Sequence, residues 1–134
     1  MSDDIAWLGI ADGGRRLADG TLTSTDWTEA LLARIERLDK VFCSTLTLLS
    51  DHALRAAEAA DRERAAGKAR GPLHGVPIGI KDVIELAGAP VSANSAVLTG
   101  RISTHSAELV TRLEKAGAVI LAKHGQYEFS YGGP

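Results

Sequence analysis

The sequence predicts an α/β fold in which N-terminal helices pack on part of a mixed, largely parallel sheet. Three observations carry this expectation. Apolar residues before position 70 recur at helical spacing, residues 76–80 and 118–122 form short apolar runs that read as buried strands, and a helical pattern over 106–116 separates those runs. Strand, helix and strand in that order describe a parallel crossover, whose strands are covered on both faces. At 134 residues the chain amounts to one unit. Residues 1–70 are expected to be mostly helical with one strand, and 71–134 to form the strand-helix-strand part.

Along the chain, 5–18 places Ile5, Leu8 and Leu17 among small residues and reads as a helix, although Gly13-Gly14 weakens it. After Asp19-Gly20, Ser24 or Thr25 is expected to cap a second helix. Its apolar stripe is Trp27, Leu31, Ile35 and Leu38, with Glu29, Arg34, Glu36 and Arg37 on the polar side. Residues 41–49 are rich in β-branched and apolar side chains and predict a strand. Ser50 or Asp51 is then expected to cap an alanine-rich helix through position 66, stopped by Gly67. From Gly71 the prolines exclude a helix and predict an ordered loop ahead of the 76–80 strand. Gly117 is expected to end the 106–116 helix.

Composition narrows the class of protein. Hydrophobic residues make up 45% of the chain and charged residues 24%, with a formal net charge of -2, which disfavours nucleic acid as a direct partner. Arg62, Arg64, Lys68 and Arg70 are interleaved with Asp61 and Glu63, the pattern of a solvated helix face. Cys43 is the single cysteine, so an intramolecular disulfide is excluded and a cytoplasmic setting is expected. The start Met1-Ser2-Asp3-Asp4 is acidic where a secretory signal is basic. No apolar run approaches the roughly 18 residues of a membrane-spanning helix, and no membrane partner is expected.

Few residues offer chemistry on their own pattern. Lys81 stands at the carboxyl end of an apolar strand beside a glycine- and proline-rich loop, where α/β proteins place their sites. Position alone also fits a lysine that snorkels at a strand end or pairs with Asp82 or Glu85. His52, His74, His105 and His124 are scattered, with no pair at metal-ligand spacing, so neither a metal nor a cofactor is expected. Gly67-Lys68 lacks a preceding phosphate-binding loop, and Gly132-Gly133 lacks a following helix. Ser92, Ser95, Ser103 and Ser130 have no Gly-x-Ser-x-Gly context, which leaves no self-evident nucleophile.

One stretch is more specific. Gly71-Pro72-Leu73-His74-Gly75-Val76-Pro77-Ile78-Gly79-Ile80-Lys81-Asp82 closely resembles the amidase-signature family. The resemblance continues through Ala87-Gly88-Ala89-Pro90, Ser92-Ala93-Asn94-Ser95, Ala116-Gly117-Ala118-Val119-Ile120-Leu121-Ala122-Lys123 and Glu128-Phe129-Ser130-Tyr131-Gly132, in family order. Asn94 stands where the family commonly has glycine, His124-Gly125 replaces a usual Thr-Asn, and Pro134 follows the terminal glycines.

The resemblance implies a truncated amidase-signature fold and an amide hydrolase with a Ser-Ser-Lys triad, of which only the lysine, Lys81, has a match here. In such a triad a neutral lysine takes the proton of the nucleophilic serine through a bridging serine. A free lysine titrates near 10.4, so a lysine working as a base at neutral pH needs desolvation or hydrogen-bond donors. The apolar strand before Lys81 is expected to bury it. Both serines and the oxyanion hole belong to a stretch that has no match in this sequence, so the 134-residue chain is expected to be inactive alone.

The resemblance also makes Ser130 a candidate substrate contact, with an incidental Ser130 beside core aromatics as the alternative. The implied substrate is a small-molecule amide or a tRNA-linked glutamine. The expected macromolecular partner is a second copy of the chain or a complementing C-terminal chain at an exposed sheet edge. The competing function is a non-enzymatic binding or regulatory protein derived from an amidase N-terminus.

Overall fold

The computed structural model describes residues 3–132; Met1-Ser2, Gly133 and Pro134, which entered the sequence reading, lie outside the described residues. A 3-10 turn at Asp3–Trp7 leads into α1 (Ile10–Asp19), α2 (Ser24–Phe42), β1 (Thr45–Leu48), α3 (Ser50–Ala65), β2 (Pro77–Lys81), α4 (Glu108–Lys115) and β3 (Val119–His124). The strands form one sheet in the order β1-β3-β2. β2 runs parallel to β3 and β1 antiparallel to it, so the sheet is mixed as expected.

The two faces of β3 explain the layering. Val119 and Leu121 pack with Leu32 of α2 and with Ala53 and Ala57 of α3, whereas Ile120 packs on the opposite side with Ile80 and with Val110 of α4. Successive strand residues point to opposite faces, so a continuously apolar strand needs helices on both. The four apolar residues Val119 to Ala122 are buried for this reason, and Lys123 is buried beside them. A third cluster, Leu17, Leu22, Trp27 and Val76, joins α1 and the start of α2 to the base of β2.

Several boundaries differ from the sequence expectations, some for a local reason and some through a distant partner. Extended backbone at Gly9 divides the 5–18 helix into the 3-10 turn and α1. Thr23, not Ser24 or Thr25, caps α2: its hydroxyl oxygen accepts the Asp26 amide at 3.0 Å and donates to the Asp26 carboxylate at 2.7 Å. Ser24 is occupied elsewhere, its Oγ donating to the Gly75 carbonyl at 2.7 Å, while the Asp61 carboxylate accepts from the Ser24 and Thr25 amides.

The 41–49 strand is shortened to four residues because α2 continues through Val41 and Phe42. Cys43 then turns left-handed (φ 50), and one Asp39 carboxylate oxygen accepts from the Ser44 amide and hydroxyl at 2.7 and 2.6 Å. That local capture outweighs the β preference of Val41 and Phe42, both exposed. Leu49, not Ser50 or Asp51, occupies the N-cap of α3, and its amide donates to the Leu121 carbonyl at 2.9 Å. α4 begins at Glu108 because the backbone at Ala107 is extended (ψ 150), and Ser106 Oγ accepts the Ala87 amide. Gly117 ends α4 as expected, at φ +84.

Gly13 is the most informative departure. Its place in α1 costs helix propensity, yet a Cβ there would overlap the six-membered ring of Trp27, which is 2% exposed. The glycine lets a large aromatic lie against the helix backbone. Gly13→Ala is therefore expected to destabilise the protein by about 1–3 kcal/mol through overpacking. Propensity alone gives the opposite sign, a gain of about 1 kcal/mol. Urea unfolding of the two proteins decides between them.

Candidate active site

β2 and β3 end side by side, and the site is built from that juxtaposition. In the parallel register Lys81 lies opposite His124 and Ile80 opposite Lys123. The Asp82 amide donates to the His124 carbonyl at 3.0 Å, and the Ile84 amide turns back to the Lys81 carbonyl at 2.9 Å. The chain therefore bends away directly after Lys81, leaving its side chain at the mouth of a cleft of about 570 Å³. Lys81 is exposed; the burial expected from its apolar strand is absent, because the strand's apolar side chains face the two cores and the residue at its tip does not. Ser130 lines the same cleft, so the structure brings together the two residues singled out in the sequence.

Ser130 sits on a segment with an unusual backbone. Phe129 and Ser130 have φ of 50 and 59, and Ala93 and Asn94 have φ of 51 and 55. Non-glycine residues adopt this region at a cost, asparagine least. That tolerance suits Asn94 to a position where the family commonly has glycine. The two segments hold one another: the Phe129 amide donates to the Ala93 carbonyl at 2.9 Å, Asn94 Nδ2 to the Gln126 carbonyl at 2.7 Å, and Ser95 Oγ to the Glu128 carboxylate at 2.6 Å. Ser130 Oγ donates to Gln126 Oε1 at 3.2 Å. Phe129 and Tyr131 are 51% and 90% exposed, so they are not core residues of this segment.

Beneath the cleft lies a buried polar cluster whose burial and pairing the sequence pattern does not reveal. Lys123 is fully buried; its Nζ donates to the Pro90 carbonyl at 2.7 Å and stands 3.6 Å from Asp82 Oδ1. Asp82, 1% exposed, accepts through Oδ2 from the Ser92 amide and hydroxyl, both at 2.9 Å. Burial holds the Lys123 ammonium below its ordinary range, with the Asp82 charge opposing that shift. The cluster ties the turn after Lys81 to the 90–92 segment. The strand expected over 118–122 stops one residue short of Lys123. Lys81 follows an apolar run as well and is exposed, so a lysine continuing such a run is not by itself a signal of burial.

The histidine of the glycine-proline motif proves structural. His74 is 1% exposed, its Nδ1 accepts the Arg70 amide at 2.8 Å, and its carbonyl accepts from Arg64 Nη2 at 2.6 Å. Its Nε2 lies 3.1 Å from Glu63 Oε2 but off hydrogen-bond geometry. A Cβ at Gly117 would come within 2.5 Å of the ring, so that glycine is needed for clearance as well as for its turn. Arg64 is thus a clamp on this loop rather than part of a solvated face, and Arg70 pairs with Glu63. His105 pairs with Glu85 at 2.5 Å. Among the described residues no group of three or more His, Cys, Asp or Glu side chains could hold a metal ion, and no helix is long and apolar enough to cross a membrane.

The amidase family profile matches residues 26–133. The chain belongs to the amidase family. A glutamyl-tRNA(Gln) amidotransferase subunit from Anaeromyxobacter dehalogenans is 39% identical over 129 residues, covering 96% of this chain and 26% of that protein. A putative amidase, AmiD, of Mycobacterium tuberculosis is also 39% identical over 129 residues, covering 96% of this chain and 27% of that protein. Native peptide amidase from Stenotrophomonas maltophilia superposes with a TM-score of 0.88 at 40% identity, over 96% of this chain and 26% of that structure. This amidase-family chain thus spans about a quarter of the length of the relatives it matches.

Two outcomes are expected from the buried groups. Lys123→Met strands the Asp82 carboxylate in the interior and is expected to cost about 3–5 kcal/mol, while Lys123→Met combined with Asp82→Asn costs clearly less. Chemical denaturation of the single and double variants measures the difference. For His74, burial first and the positive charge of Arg64 second hold the ring below its ordinary 6.5. The unfolded chain then binds the proton more tightly, so stability is full above about pH 6.5 and falls as pH drops through the window below it. His74→Gln is expected to flatten that slope in urea midpoints taken between about pH 7.5 and 5; an unchanged slope would assign the dependence to other groups.

Proposed function

We propose that this chain is the N-terminal portion, residues 1–134, of a single amide-hydrolysing domain, and that Lys81 is its general base. The observation that carries the reading is the placement of Lys81: an amine at the tip of β2, held in register beside His124 and opening into the cleft that Ser130 also lines. The nearby hydroxyls of Ser92 and Ser95 are directed to the Asp82 and Glu128 carboxylates, which suits scaffolding rather than attack. In this reading the nucleophilic serine, a bridging serine and the oxyanion donors come from sequence outside the segment. That added chain also covers Lys81, removing water from an amine that is exposed here and favouring its neutral form.

The mechanism follows from these parts. The neutral lysine accepts the nucleophile's proton through the bridging hydroxyl as the serine attacks the substrate carbonyl, and returns it to the leaving nitrogen. The substrate is a carboxamide, either a free small molecule or a glutamine serving as nitrogen donor, as the amidotransferase relative suggests. Ser130, lining the same cleft as Lys81, is the candidate contact for the acyl part of the substrate.

The segment alone is expected to show no amide turnover, since loss of a single oxyanion donor already costs about 10²- to 10³-fold. In the full-length protein that carries this segment, Lys81→Ala is expected to lower kcat on simple amides by about 10²- to 10⁴-fold, the usual contribution of a general base. Activity that survives the substitution would rule out this role for Lys81, and a full-length protein inert towards amides would favour a binding function.

A further inference from the structure

His124 occupies a position to which the proposed chemistry assigns no role. Its ring lies across the backbone of Gly79 on the neighbouring strand: a Cβ at Gly79 would overlap Nε2 and Cδ2 of the imidazole. Gly79 has no positive φ, so its lack of a side chain serves the approach of the ring rather than a special backbone conformation. The pair stands between two openings. On one side is the Lys81 cleft; on the other a cleft of about 620 Å³ runs along α2, walled by Leu31, Ile35, Leu38, Pro77 and Leu121, with Arg34 and Asp39 at its edge. Among the described residues, Gly79 and His124 are the two that line both.

We propose that His124 is a specificity-determining residue, the wall that stops a substrate in the Lys81 cleft from extending its apolar portion into the cleft along α2. The inference rests on the reading of Lys81 as the general base, because it needs the reacting carbonyl to sit beside that amine. The chemistry on the far side decides what would be admitted. Six apolar side chains line it, Phe42 being the sixth, which suits a hydrocarbon chain or ring attached to a carboxamide and gives a charged extension little to pair with beyond Arg34 and Asp39. With the imidazole in place, the site takes short amides; with the wall shortened, Gly79 leaves a passage and the two volumes become one.

The test uses the full-length protein and the linear primary amides acetamide, butanamide, hexanamide and octanamide. His124→Ala is expected to raise kcat/KM for octanamide relative to acetamide by at least about tenfold, since each buried methylene is worth about fourfold. His124→Leu, which refills the space, is expected to keep the wild-type ratio. His124→Thr, whose branched side chain suits a strand end, serves as the second opening variant should the alanine protein fail to fold. An unchanged length profile in folded Ala and Thr variants overturns the proposal and leaves the α2 cleft to be filled by the protein's own further sequence. Lys81→Ala, assayed alongside, separates the two claims. Turnover surviving in that variant overturns the general-base reading, whereas an inactive Lys81→Ala beside an unmoved length profile overturns the wall alone.

Discussion

The parallel register between β2 and β3 sets which residues line the cleft at the end of the two strands. Lys81 opposite His124 and Ile80 opposite Lys123 is one of two alternations available to a strand whose side chains repeat every second residue. A slip by one position would turn Lys81 towards α4, where Ile80 now packs against Val110. Apolar burial resists such a slip from both sides, through Ile120 with Val110 on one face and Leu121 with Leu32 on the other. The Lys123 and Asp82 pair resists it from below, because its hydrogen bonds reach the Pro90 carbonyl and the Ser92 amide, which another register would leave unpaired. A buried ion pair adds little net stability, whereas removing one partner leaves an uncompensated buried charge.

A second bracket stands at the opposite end of β2. His74 fills the space that Gly117 leaves empty, the Gly75 amide donates to the Gly117 carbonyl at 2.7 Å, and the Val119 amide donates to the Val76 carbonyl at 2.9 Å. The strand is therefore anchored where it begins, by the glycine-proline loop, and where it ends, by the buried pair. Between the anchors a β-bulge at Ile78 and Gly79 adjusts the pairing, and Gly79 is also where the ring of His124 rests. The motif histidine and Asp82 hold the strand at its two ends, and Lys81, at its tip, is left exposed on the cleft.

How much of this was legible in the sequence depends on the range of the interaction. The stripe of α2, the order β2, α4 and β3, and the stop at Gly117 all follow from local periodicity and turn chemistry, and all are present. The family motif located Lys81 and Ser130, and the fold places both on one cleft. The errors came where distant partners decide. Ser24 looks like a cap until its hydroxyl meets Gly75, and Gly13 looks like a weak point until Trp27 is laid against it, whereas Val41 and Phe42 are kept helical by a local capture, Asp39 on Ser44, that their β preference masks. The burial of His74 and Lys123 was hidden for the same reason, since their partners Glu63, Arg70, Asp82 and Pro90 come together only in the fold. The exposure of Lys81 carries the same lesson, for an apolar strand does not bury the residue at its tip.

A crystal structure of the full-length protein with an amide-derived inhibitor in the cleft would decide whether Lys81 is the general base. The expected result is Lys81 Nζ, now out of solvent, within about 2.6 to 3.2 Å of a serine hydroxyl supplied by sequence outside this segment. Lys81 Nζ in bulk water, with no serine hydroxyl in reach while the inhibitor occupies a different cleft, would contradict it.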